Sequence, residues 1–319
     1  MSAPRSRHLP SPAPPPSNLG VARPSELGDA ALRRGYLLDG LLAEGGTSLV
    51  YAARRLDDGS PVALKVLAEE HLGNAAFAAR FHREIELSRR VAHPNLARAI
   101  DGGELPGGRL FLATERLLGR TLTQVVRDEG PLAIARALDW MEQVLAAVGA
   151  LHAAAVVHGD LQPENVLIAR ERSWERAVVI DLGAALEPGA RAIASDGEER
   201  GEATSGTPSF MAPEQWLGAR AVTEKSDQFG VALLIHFALS GRLPFKDGDA
   251  RETMIARLRA APTRIESVRR DAPRGLDALL RRALAKHPEA RFASALEMRA
   301  ELGALAPSHR SWCAAREAS

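Results

Sequence analysis

The spacing of apolar residues changes period once along the chain, near Gly119, and that change constrains the fold more than any other feature. Before it, over 36–118, apolar residues come in short runs separated by Gly, Asp and Pro, the pattern of strands joined by turns. The runs 37–42, 49–54, 62–67, 97–102 and 110–115 are predicted strands. One helix is predicted among them, over 75–91, where Phe77, Phe81, Ile85 and Ser88 recur at helical spacing. After Gly119 the chain reads mostly helical, with helices predicted over 132–153, 226–240, 252–258, 275–284 and 293–305. A small strand-rich part followed by a larger helical part predicts an α+β chain of two lobes, 35–117 and 118–305, with a cleft between them.

Composition narrows the function. The 319 residues carry 41 basic and 40 acidic side chains, a net charge of +1, which gives no basis for a nucleic-acid or membrane-surface partner. The single cysteine, Cys313, excludes an intramolecular disulfide framework and a cysteine-cluster zinc site, and points to a reducing compartment. The nine histidines lack the paired spacing of a zinc site. The longest apolar run, 144–157, falls short of the roughly 20 residues that cross a bilayer. With no apolar leader visible, a cytoplasmic location is expected. Residues 1–34 hold Pro10, Pro12, Pro14, Pro15 and Pro16 and read as a flexible arm; a ligand for a proline-recognition partner is the lesser alternative. Residues 306–319 read as a tail.

Three segments carry chemistry. In 42–51 a glycine-rich turn, Glu44-Gly45-Gly46, joins two predicted strands, and such a turn lets backbone N–H groups approach an anion. A hairpin needs glycine anyway, so the turn alone is weak. In Val62-Ala63-Leu64-Lys65-Val66-Leu67 a lysine interrupts an apolar strand, in a chain where only four of the 41 basic residues are lysine. A lysine so placed needs a counter-charge, and Glu84 on the following helix is the candidate. In 158–167, His158-Gly159-Asp160-Leu161-Gln162-Pro163-Glu164-Asn165, a polar loop leads into an apolar segment, and a second apolar segment ends at Asp181-Leu182-Gly183. Asp and Asn oxygens are hard ligands suited to Mg²⁺, and a further carboxylate beside the metal can orient or deprotonate a hydroxyl. His158 reads as a packed residue beside that loop.

Taken in order with Ala212-Pro213-Glu214, these motifs resemble the eukaryotic-type serine/threonine protein kinases found in bacteria, over 36–305. The resemblance implies ATP and Mg²⁺ as cofactors and a protein substrate, phosphorylated on Ser or Thr. It implies that Lys65 holds the α- and β-phosphates and pairs with Glu84, that Asp160 accepts the hydroxyl proton, and that Asn165 and Asp181 hold Mg²⁺. It places Ala43, Glu44, Gly45, Gly46 and Ser48 over the phosphates and Val50, Ala63 and Leu167 about the adenine. Thr114 falls at the gatekeeper, and Glu115 to Leu117 form the hinge that bonds the adenine edge. Residues 206–211 resemble the protein-substrate docking loop. Glu214 would pair with Arg291, and Asp227 would anchor the catalytic loop from below.

The pattern departs from the family in three places. Ala43 and Ser48 stand where glycines are usual, Gly159 replaces an arginine that commonly reads activation-loop phosphate, and Gln162 replaces the lysine that usually neutralises the γ-phosphate. Losing that charge matters where negative charge is transferred. Two alternatives use the same residues: a small-molecule phosphotransferase of the aminoglycoside or choline type, and an ATP-binding pseudokinase. The segment 206–214, with Asp227 and Arg291, argues against the first; intact Lys65, Asp160, Asn165 and Asp181 argue against the second. Asp196, Glu198, Glu199 and Glu202 read as a solvated loop face near Thr204 and Ser205.

Overall fold

The protein is described by a computed structural model over residues 24–171, 174–187, 208–218, 221–246 and 248–305. Five antiparallel strands form the first sheet: β1 (Tyr36–Glu44), β2 (Ser48–Arg55), β3 (Pro61–Leu67), β4 (Ala99–Glu104) and β5 (Leu110–Glu115), in the order β1-β2-β3-β5-β4. Period-2 alternation decides which side chains reach the cleft. On β3, Val62, Leu64 and Val66 are fully buried in the core, so Ala63 and Lys65 point to the opposite face. Register then sets Lys65 opposite Val50 on one side and Leu112 on the other, and Ala63 opposite Ala52 and Thr114.

The flexible arm expected over 1–34 gives way to a helix at its end. Pro24–Arg33 is a helix, α1, and Leu27, Ala30 and Ala31 bury one face among Tyr36, Ala53 and Val62. The spacing i, i+3, i+4 makes that face. Proline density hid it, although Pro24 is the first residue of the helix, a place proline tolerates because it fixes φ and needs no N–H partner there. The prolines from Pro10 to Pro16 lie outside the described residues.

Helix α2 (Ala75–Arg90) joins β3 to β4. Asn74 caps it by accepting from the Ala76 and Phe77 N–H groups, and Phe81 and Ile85 pack it on Leu67, Leu110 and Leu112.

The second lobe is built on two buried helices, α4 (Ile134–Ala153) and α5 (Glu224–Ser240). Between β5 and α4 the chain makes β6 (Gly119–Thr121) and α3 (Leu122–Glu129), which opens with a reciprocal cap between Thr121 and Gln124. Neither short element was expected from sequence. β7 (Val166–Arg170) and β8 (Glu175–Val179) complete a three-stranded sheet, ordered β6-β7-β8. The chain closes with α6 (Ala250–Arg259), α7 (Ile265–Val268), α8 (Leu276–Ala283) and α9 (Ala295–Ala304). Among the described residues, no helix is long and apolar enough to cross a membrane.

Candidate active site

Lys65 is where the sheet and α2 meet the second lobe. Its Nζ donates to Glu84 Oε1 at 2.6 Å and to Asp181 Oδ1 at 2.7 Å. Glu84 is almost wholly buried on α2, so its carboxylate requires this cation. Burial alone would lower the Lys65 pKa, but the two carboxylates more than reverse this and hold the amine charged. Burial pushes Glu84 up to about 7 against the pull of Lys65. Asp181 is pushed upward by burial too, yet Lys65 and the Gly183 N–H carry it well below the carboxylate range.

The turn after β8 is as constrained. Asp181 has φ +65°, a left-handed conformation that Asp tolerates better than most residues. The Gly183 N–H donates back to Asp181 Oδ1 at 2.8 Å. A Cβ on residue 183 would lie 2.9 Å from that oxygen and 3.2 Å from Glu84 Oε2, so only glycine lets the turn close against the pair.

The polar loop before β7 is folded around Asp160. The Asn165 side-chain amide donates to Asp160 O at 2.9 Å and Oδ2 at 3.2 Å, and Gln162 Nε2 donates to the same Oδ2 at 3.0 Å. From below, the buried Asp227 on α5 accepts from the backbone N–H groups of His158 and Gly159, both at 2.9 Å, and pairs with His152 Nε2 at 2.8 Å. Burial would raise the Asp227 pKa; the His152 hydrogen bond leads the effects that lower it. Gly159 sits at φ +75°, and a Cβ there would come within 3.0 Å of Ala184 O. Beneath the next segment, Arg291 grips Glu214 with two bonds, 2.6 and 2.8 Å, and Ser226 Oγ donates to Glu214 Oε1 at 2.8 Å.

A protein kinase domain model matches residues 36–301. The chain belongs to the protein kinase family. It is 34% identical over 285 residues to serine/threonine-protein kinase pkn3 of Myxococcus xanthus, covering 86% of this chain and 50% of that protein. It is 32% identical to serine/threonine-protein kinase PknL of Mycobacterium tuberculosis, covering 88% of this chain and 68% of that one. The chain thus spans half the length of the first relative. A crystal structure of the M. tuberculosis PknI kinase domain is 28% identical with a TM-score of 0.66, covering 86% of this chain and 96% of that one. These relatives place it among the eukaryotic-type serine/threonine kinases of bacteria.

Within this kinase fold one cavity brings together Lys65, Glu84, Asp160 and Asp181, and Thr47 and Phe77 line it too. The residues expected about the adenine do not line it. Val50, Ala63, Thr114 and Leu117 are half-buried on or just after the first sheet, and Leu167 is half-buried on β7. In the expected hinge, the Glu115 N–H already donates to Arg98 O at 2.9 Å, while its Oε1 accepts from the Arg98 N–H at 3.1 Å. In the glycine-rich turn, Ala43 pairs with Val50 across the hairpin after Glu44, and the Gly45 N–H donates to Ser48 O at 2.9 Å. Gly46 O lies 3.0 Å from His71 Nε2, and Ser48 is buried. Gly206, Thr207, Thr204, Ser205 and the acidic residues 196–202 lie outside the described residues.

Two residues of the kinase site were not singled out from sequence. His152 completes the Asp227 anchor; its signal was a histidine in the last turn of an apolar helix. Arg80 reaches the Asp181 turn, and its signal was a cation one helical turn before Glu84.

Proposed function

We propose that this kinase domain transfers the γ-phosphate of Mg-ATP to Ser or Thr hydroxyls of protein substrates, with lobes at 35–117 and 118–305, acting in the cytoplasm. One observation carries the reading: Lys65, charged and bonded to both Glu84 and Asp181, shares a cavity with Asp160. Lys65 orients the nucleotide phosphates. Asp160, its carboxylate steered by Asn165 and Gln162, receives the proton of the incoming hydroxyl. The Asn165 amide nitrogen is committed to Asp160, which leaves its carbonyl oxygen and the ionised Asp181 carboxylate as two hard oxygen donors, a set that fits Mg²⁺. When bound, the metal neutralises charge between the phosphate oxygens. A protein substrate is supported by the Glu214–Arg291 platform and by an apolar cavity beside Gln162, lined by Glu164, Phe210, Phe237, Leu243 and Phe245. A cytoplasmic site of action is supported by the single cysteine.

The test is transfer of labelled phosphate from ATP to a generic basic protein, with aminoglycosides and choline as rival acceptors. Wild type should label the protein, and Asp160→Asn should lose transfer yet keep Mg-ATP binding. Equal silence of both proteins with ATP still bound would overturn the reading in favour of a non-catalytic domain. Labelling of the small molecules alone would overturn it in favour of a small-molecule phosphotransferase.

A further inference from the structure

The Asp181 turn needs holding, because a left-handed residue costs roughly 1–2 kcal/mol, less for Asp than for most. Both backbone groups of Gly183 serve that end. Its N–H bonds Asp181 Oδ1, and its carbonyl accepts from Arg80 Nε at 2.5 Å. Arg80 lies four residues before Glu84, so both project from one face of α2. That face therefore delivers a carboxylate to Lys65 and a guanidinium to the turn bearing Asp181, and both residues line the same cavity. At its other end, α2 holds the outgoing segment through Arg90 and Glu187, at 2.7 Å. Gly159, at φ +75° and without a side chain, has nothing with which to bind a phosphate on that segment.

We propose that Arg80 is a positioning residue that sets the Asp181 turn through the Gly183 carbonyl, so that α2 orders the metal-holding carboxylate without a phosphate on the activation segment. This rests on the phosphoryl-transfer reading above. A charge-assisted bond to a backbone carbonyl is stronger than a neutral one, and it acts on the peptide that also fixes the Asp181 carboxylate.

The full chain is compared as wild type, Arg80→Met and Arg80→Lys by backbone hydrogen exchange, thermal unfolding and steady-state kinetics. In Arg80→Met, exchange over 182–187 should accelerate about tenfold while the midpoint stays within about 2 °C. Its kcat should fall about tenfold with the protein-substrate KM unchanged, and Arg80→Lys should recover part of both effects. Wild-type exchange and kcat in Arg80→Met would overturn the proposal. So would faster exchange throughout the chain with a lowered midpoint, which is the mark of a purely structural role. If wild type transfers no phosphate, the phosphoryl-transfer reading fails, and the exchange comparison still decides Arg80.

Discussion

Single residues in this chain are set by their immediate neighbours, and two departures from the kinase pattern show how. Gln162 is not idle in the position of the usual lysine: its amide steers Asp160 Oδ2 at 3.0 Å. A lysine there could make the same bond and add a positive charge where phosphate charge develops. Gln162→Lys should therefore raise kcat about tenfold, equivalent to about 1.4 kcal/mol of barrier, measured with saturating ATP. Gly159 behaves differently. Its φ of +75° and the 3.0 Å approach to Ala184 O mean that restoring the usual arginine forces a side chain into a left-handed, crowded site. Gly159→Arg should lower unfolding stability by about 1–2 kcal/mol in urea, with no gain in activity. An unchanged midpoint would show that Ala184 yields at no cost.

At the scale of elements, two helices hold the site, α5 from within the second lobe and α2 from the first lobe across to the second. α5 fixes the loop that bears Asp160 through Asp227, whose two oxygens serve three donors; α2 holds Lys65 and the Asp181 turn. α1 has a quieter role, covering the sheet beside Tyr36, whose hydroxyl donates to Asp101 at 3.0 Å. Leu27 is its deepest leucine, 7% exposed. Leu27→Ala should cost about 2 kcal/mol, the low end for a buried leucine because the site lies at the edge of the core. Equilibrium urea unfolding checks this, and a change near zero would mean that α1 contributes nothing to the fold.

For the whole molecule, the consequence is a cleft whose order is internal. Lys65–Glu84–Asp181 is assembled from β3, α2 and the turn after β8 by the fold itself. With Gly159 unable to read a phosphate, alanine at both Thr204 and Ser205 should leave the phosphorylation rate within a few-fold of wild type. A collapse of the rate in that double variant would reveal a basic residue elsewhere that reads the segment.

Much of this was legible from residue order. The strand over 110–115 stands where the apolar run put it, and the helix over 75–91 ends one residue earlier than expected. The lysine in an apolar strand did find Glu84, because a cation that loses most of its water must have a partner and α2 was the next helix along. What composition obscured was α1, masked by proline density, and the short β6 and α3, too brief to carry a period and held by pairing with β7 and by a cap. Period and propensity are local, so the sequence by itself determined the longer strands and helices, the change from strands to helices and the chemical groups on offer. Only the tertiary structure decided that Asp181 shares the Lys65 ammonium, that Gln162 turns onto Asp160 and that Arg80 meets the Gly183 carbonyl. Each joins residues that are distant in sequence or bent together by a turn, and bonds of that kind are settled by how elements pack and not by the spacing along any one of them.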